Sequence, residues 1–202
     1  MSRIYMIRHG KAAAGWDGDA DPGLDALGRQ QAEAVAADII SRIEQPAPIF
    51  SSPLKRCQET ALPLALQWGA TPEIEPGIGE IPPPLEDLSD RTDWLRRVMA
   101  GSWDGLFQDA VSVESGQNFK AWYAGVPAAL HRLAASGPHV VVFSHFIALN
   151  VAYCEATGAQ DVVSFAPANC SLSIFESDGK NLSLIEQGEE TADLKITLGK
   201  KA

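Results

Sequence analysis

Ile4, Tyr5, Met6 and Ile7 form an unbroken apolar run that stops at Arg8, His9 and Gly10. Such a run predicts a short strand over residues 3–7, buried on both sides. Leu27, Gln31, Val35, Ile39 and Ile43 recur at spacing four and mark one stripe of a helix, with Asp25 where an N-cap belongs. Residues 47–50 (APIF) make a second short apolar run. Ser52 and Pro53 then read as the cap and first residue of a helix whose face holds Leu54, Ala61, Ala65 and Trp68. Residues 72–78 allow a further strand, and residues 79–104, with Pro82, Pro83 and Pro84, read as irregular. Phe119, Trp122, Val126, Leu130 and Leu133 give a third helical stripe, in which Pro127 predicts a kink or a break. The β-branched run at 139–143 (HVVVF) suits a strand covered on both faces, and the helix-like segment after His145 ends at Gly158. Residues 170–176 and 181–187 alternate apolar and polar around Ser177, Asp178, Gly179 and Lys180, which is a hairpin pattern.

Strands alternating with helices predict an α/β fold: a three-layer α/β/α sandwich around a mostly parallel sheet, with the hairpin as antiparallel edge strands. In such sheets ligands bind at the carboxyl ends of the strands. Arg8 and His9 end one buried run, Ser144 and His145 end another, and Arg56 lies one turn into the helix after a third. Three distant segments are thereby expected at one edge of the sheet.

The 202 residues suit one domain over 1–202, and 46% hydrophobic content argues against a disordered chain. No apolar run is long enough to span a bilayer, and Arg8 interrupts the N-terminal run before it resembles a signal peptide. A cytoplasmic protein is expected. The net charge of −10 disfavours nucleic acid and anionic membranes as partners and makes a cluster of Arg and His more telling. Cys57, Cys154 and Cys170 are too few and too scattered for a disulfide frame or a zinc knuckle. Asp17, Asp19 and Asp21 begin like a calcium loop, but Pro22 and Gly28 stand where such a loop needs glycine and glutamate, so no metal site is expected. Trp16 and Trp103 are candidate pocket walls, though aromatic residues more often simply fill a core. The end of the chain, Gly199 to Ala202, is expected to fray.

The ordered set Arg8-His9-Gly10, LDALGRQQA (24–32), SSPLKRCQETA (51–61), ESGQNF (114–119) and VVVFSHF (140–146) resembles the histidine phosphatase superfamily, which includes the cofactor-dependent phosphoglycerate mutases. The resemblance implies a phosphoglycerate mutase-like fold and a phosphoryl group carried on His9. A neutral imidazole is a competent nucleophile near pH 7. Gly10 would let the backbone turn close to the phosphate. Arg8 and Arg56 would fork onto its oxygens, and His145 would complete the pocket. The backbone N–H groups from Phe146 onward would add to this as the start of a helix. Glu80 stands where the family's proton donor is expected, and Glu114 is its rival.

The leading expectation is a metal-independent phosphohydrolase with no cofactor, acting on a small phosphorylated substrate or a phosphorylated protein. A phosphomutase and a phosphate-binding regulator without turnover are alternatives, and a two-metal phosphatase is disfavoured. Mutases of the family hold their substrate by a second anionic group. In the segment after Glu80, Arg91, Arg96 and Arg97 face Glu86, Asp87, Asp90 and Asp93, and this near balance favours a phosphatase. The substrate and the oligomeric state are left open by the sequence.

Overall fold

Strand β1 (Ser2–Arg8) sits in the middle of the molecule because it is apolar on both sides. In the computed structural model, which describes residues 1–14 and 19–191, it is flanked by β4 (His139–Ser144) and β5 (Leu172–Ser177). Trp16, Asp17 and the last residues of the chain lie outside the described residues. β4 runs parallel to β1, with Ile4 opposite Val140 and Arg8 opposite Ser144. β2 (Ile49–Ser51) runs parallel to β4, and β3 (Glu73–Ile74) parallel to β2. β5 and β6 (Leu182–Glu186) form the antiparallel hairpin at the other edge, giving the order β3-β2-β4-β1-β5-β6. Gly179, at φ 90°, supplies the left-handed residue of the hairpin turn.

Side-chain alternation along β1 and β4 builds two cores. Tyr5, Ile7, Val141 and Phe143 meet Val35, Ile39, Ala61 and Leu64 from α1 (Ala26–Arg42) and α2 (Lys55–Trp68). Ile4, Met6, Val140 and Val142 meet the opposite layer, formed by α3 (Leu88–Met99), α6 (Phe119–Ala134) and α7 (Phe146–Thr157). Each such aliphatic side chain contributes about 1.5–3 kcal/mol on full burial, so β1 is fastened from both sides. The expected three-layer sandwich is the fold observed. Among the described residues no helix is long and apolar enough to cross a membrane.

Several local expectations are corrected. The buried stripe of α1 is Gly28, Ala32, Val35, Ala36 and Ile39, and Leu27 is exposed. Spacing of four drifts around a helix of 3.6 residues per turn, so the first members of that series leave the buried face. Asp25 does cap α1, accepting from the Gly28 N–H at 2.7 Å. α2 begins at Lys55 rather than Pro53, because Ser52 turns its side chain to His145. Only Glu73 and Ile74 of residues 72–78 form a strand. Residues 79–104 hold α3 and the start of α4 (Trp103–Gln108), and α5 (Ala110–Glu114) follows. α6 is continuous through Pro127, which is itself buried in the packed face.

Candidate active site

The carboxyl ends of β1, β4 and β2 bring together His9, His145 and Arg56 as the pattern predicts. His9 follows β1 and is anchored by its own N–H, which donates to the Ser144 carbonyl at 3.0 Å. Its ring is tied at both nitrogens. Arg56 Nε donates to His9 Nε2 at 3.1 Å, so Nε2 carries a lone pair and Nδ1 carries the hydrogen, which points to the Gly10 carbonyl at 2.8 Å. Burial first, and then the charges of Arg8 and Arg56, hold the His9 pKa well below its ordinary value. The ring is therefore neutral near pH 7, with Nε2 as its basic atom.

His145 caps α7 and is fully buried, 5.3 Å from the His9 ring in an edge-on arrangement. Its Nδ1 lies 3.3 Å from Arg56 Nη2, and its Nε2 lies 2.7 Å from the Ser52 hydroxyl. Burial, then the neighbouring His9 and the two arginines, keep it neutral as well. Arg8 ends β1 with Nη1 donating to the Pro167 carbonyl at 2.8 Å and its guanidinium 5.0 Å above the Phe146 ring. Its Nε has no hydrogen-bond partner although buried, and burial lowers its pKa to about 10. A buried guanidinium with an idle donor, in a chain of net charge −10, is built to receive an anion.

Glu80 enters the same space from the other side. Its carboxylate accepts from the backbone N–H of Ile147 at 3.1 Å and of Ile81 at 3.1 Å. Burial nevertheless dominates and raises its pKa above the usual carboxyl value, against the opposing pull of those N–H groups, Arg56 and Arg8. The first turn of α7 thus spends one of its N–H groups on Glu80. Arg8, His9, Arg56, Glu80 and Phe146 all line one cavity of about 610 Å³. His145 lies behind its wall, touching Arg56. Glu114 is exposed at the end of α5 and does not line the cavity, which removes it as a rival. Trp103 is also away from the cavity, packed in an aromatic group with its ring edge-on to Tyr123 at 4.7 Å. Among the described residues no group of three or more His, Cys, Asp or Glu is placed to hold a metal ion.

Some contributors went unnoticed in the sequence. Gly10 does not line the cavity. Its N–H donates to Thr60 Oγ1 at 3.0 Å, which in turn donates to the Arg56 carbonyl, so one hydroxyl ties the loop after His9 to the helix of Arg56. Gly10 also packs on Gly28, where a Cβ on Gly10 would come within 2.6 Å of the Gly28 carbonyl oxygen. Asn169 donates to the His9 carbonyl at 3.1 Å. Thr60 and Gly28 fall inside two of the five segments that carried the resemblance, whereas Asn169 has no sequence signal.

A family model described as histidine phosphatase superfamily (branch 1) matches residues 4–189, from within β1 to just beyond β6. The chain belongs to the histidine phosphatase superfamily. Phosphoserine phosphatase 1 of Hydrogenobacter thermophilus is 24% identical over 204 residues, covering 88% of each chain. The 6-phosphofructo-2-kinase/fructose-2,6-bisphosphatase of Gallus gallus is 38% identical over 82 residues, 38% of this chain. The chain spans only 10%, 17% and 47% of the length of three of the curated relatives it matches. Among solved structures, phosphoserine phosphatase of Entamoeba histolytica in complex with 3-phosphoglyceric acid superposes with a TM-score of 0.70 at 20% identity, over 96% of this chain and 100% of that one. That likeness concerns the histidine phosphatase fold.

Proposed function

We propose that this histidine phosphatase hydrolyses phosphomonoesters through a phosphohistidine on His9, with no metal ion taking part. The observation that carries the reading is the fixed tautomer of His9. Its hydrogen is held on Nδ1 by the Gly10 carbonyl, which leaves the Nε2 lone pair facing Arg56 and the cavity. In the resting site the Arg56 N–H covers that lone pair. A phosphoryl group entering the cavity competes for Arg56 and for the idle Nε of Arg8, and Nε2 is uncovered as it arrives.

Nε2 attacks phosphorus while the bond to the ester oxygen breaks, and the bonding pair leaves with that oxygen. Glu80, whose proton burial holds more firmly than usual, gives it that proton. Arg8 and Arg56 neutralise charge on the spread phosphoryl oxygens, the task a metal performs elsewhere. His145 acts from behind, positioning Arg56 and adding a donor when the arginine moves. In the second half, Glu80 as carboxylate takes a proton from water, the water oxygen bonds to phosphorus, and the P–N bond breaks to return neutral His9 with inorganic phosphate.

The relatives named as phosphatases support hydrolysis over transfer. The same reading takes the matched region as one catalytic domain of a chain acting in the cytoplasm. The free, largely buried cysteines suit a reducing compartment. The test is chemical. Rapid quenching during turnover of a labelled phosphoester should trap a phosphoramidate, stable to alkali and labile to acid, which His9→Ala abolishes together with turnover. A label that persists in His9→Ala would overturn the assignment.

A further inference from the structure

The three nitrogens of the Arg56 guanidinium meet three different partners. Nε and Nη2, which share one edge of the plane, reach His9 and His145 at 3.1 and 3.3 Å. Nη1 lies 3.9 Å from Oδ1 of Asp21, one of the aspartates that begin like a calcium loop. Among the described residues no other carboxylate comes within ion-pair distance of Arg56. Asp21 is itself held in place. The same Oδ1 accepts from the Lys55 N–H at 2.9 Å, at the start of α2, while Asp19 Oδ1 accepts from the Asp21 N–H at 3.1 Å. Glu59, a turn farther along α2, accepts from the Leu24 N–H at 2.6 Å. The loop from Asp19 to Leu24 is thereby latched to the helix that carries Arg56, and the Asp21 carboxylate keeps its place beside the guanidinium.

We infer that Asp21 is a positioning residue: its carboxylate fixes the Arg56 guanidinium by Nη1, so that the Nε–Nη2 edge stays turned to the incoming phosphoryl group. The inference rests on the phosphatase reading above and adds to it the group that aims one of its two arginines. Asp21 does not line the cavity, so it acts through Arg56 and not on the substrate. A planar fork makes two parallel bonds to a phosphoryl group only along the edge that faces it. When the phosphoryl oxygens take Nε and Nη2 from the two histidines, Asp21 still holds Nη1, and the guanidinium pivots about that contact. The carboxylate also offsets part of the repulsion between Arg56 and Arg8, which helps to lower the Arg8 pKa. The Arg56 side chain is 11% exposed and that of Asp21 43%, so solvent screens the pair from the Asp21 side only.

The test separates charge from helix capping. Asp21→Asn and Asp21→Ser each keep an acceptor for the Lys55 N–H and remove the charge. On p-nitrophenyl phosphate both should lower kcat by about fivefold, the upper worth of a partly exposed ion pair. KM and inhibition by inorganic phosphate should move by less than about twofold, because the lost negative charge favours a bound anion and offsets what a looser Arg56 forfeits. Hydrogen exchange at Arg56 Nε reads the same orientation without substrate. It is followed by NMR on protein carrying isotope-labelled arginine, with the signal assigned by its loss in Arg56→Lys. The Nε–H bonded to His9 should exchange slowly in the wild type and about fivefold faster in both variants. Because that measurement needs no turnover, it decides the part of Asp21 even where a label persisting in His9→Ala has overturned the phosphohistidine reading. Wild-type kcat in either variant, or an unchanged exchange rate, would overturn the inference. So would tighter phosphate binding at full kcat, the mark of a carboxylate that merely competes for Arg56.

Discussion

His9, His145 and Glu80 lie together at the cavity with shifted proton affinities, and their directions differ for one reason. Burial disfavours whichever form is charged, so it lowers His9 and His145 and raises Glu80. The outcome is a neutral imidazole beside a carboxyl group that holds its proton more firmly than usual, which is the pairing that the proposed ester cleavage requires. Glu80→Gln should accordingly slow hydrolysis of an alkyl phosphate by about 100-fold or more and slow p-nitrophenyl phosphate far less, because a good leaving group needs little proton donation. The alkyl rate of the wild type should also fall on the alkaline side as Glu80 loses its proton, and the pH profile of the two substrates in parallel checks this. Equal losses on both substrates would assign Glu80 a structural part. His9, Arg8, Arg56 and His145 were legible in the sequence because charged groups at the ends of apolar runs are costly without a purpose. Thr60, Ser52 and the Pro167 carbonyl were not legible. They act through a hydroxyl or the backbone, and such groups carry no pattern until the fold sets their distances.

At the scale of elements, periodicity found those whose apolar faces are long and missed α3. That helix follows three prolines and alternates charges along its outer side, so the eye meets polarity first. Its buried face, Thr92, Trp94, Leu95, Val98 and Met99, is narrow but periodic, and Asp87 caps it through the Ser89 and Asp90 N–H groups. An N-cap Asp after a proline run was the available signal. Missing α3 concealed an element that lines the cavity through Arg91, Thr92, Trp94 and Leu95. The contact of α1 with the loop after His9 is also invisible to periodicity, since glycine marks it only by having no side chain. At Gly28 a Cβ would overlap the Lys11 carbonyl oxygen. Gly28→Ala ordinarily favours a helix by about 1 kcal/mol. Here it should instead destabilise the protein by about 1–3 kcal/mol through overpacking and lower kcat, because residues 10–11 present the carbonyl that fixes the His9 tautomer. Urea denaturation and p-nitrophenyl phosphate kinetics on one preparation decide it. A more stable, fully active variant would show that the loop yields freely.

Over the whole molecule, the two-sided core around β1 and β4 sustains two buried neutral imidazoles at the open end of the sheet. The consequence is a dependence of stability on pH whose sign follows from linkage. Each histidine has a folded pKa below 6.5, so as pH falls through 6.5 the unfolded chain takes up protons that the folded chain refuses. Stability is whole above that value and is lost progressively below it, by about 1.4 kcal/mol per histidine for each pH unit until the folded pKa is reached. Glu80 works in the opposite sense. Its raised folded pKa means that the fold holds a proton the unfolded chain releases, so it gains stability as pH falls towards 4.5. A comparison at fixed Glu80 removes that contribution. Between pH 7.5 and 5.5 the unligated wild type should lose about 2–3 kcal/mol more than His9→Gln/His145→Gln does, since the substituted amides do not titrate. For a chain of this size that is an additional fall in Tm of roughly 5–10 °C. Thermal unfolding of both proteins in phosphate-free buffers measures it, because a bound anion would lift both histidine pKa values and hide the effect. Parallel pH dependence in the two proteins would mean that the imidazoles are already solvated in the folded state, and with that the neutral, lone-pair-bearing His9 would be lost as the starting point of catalysis.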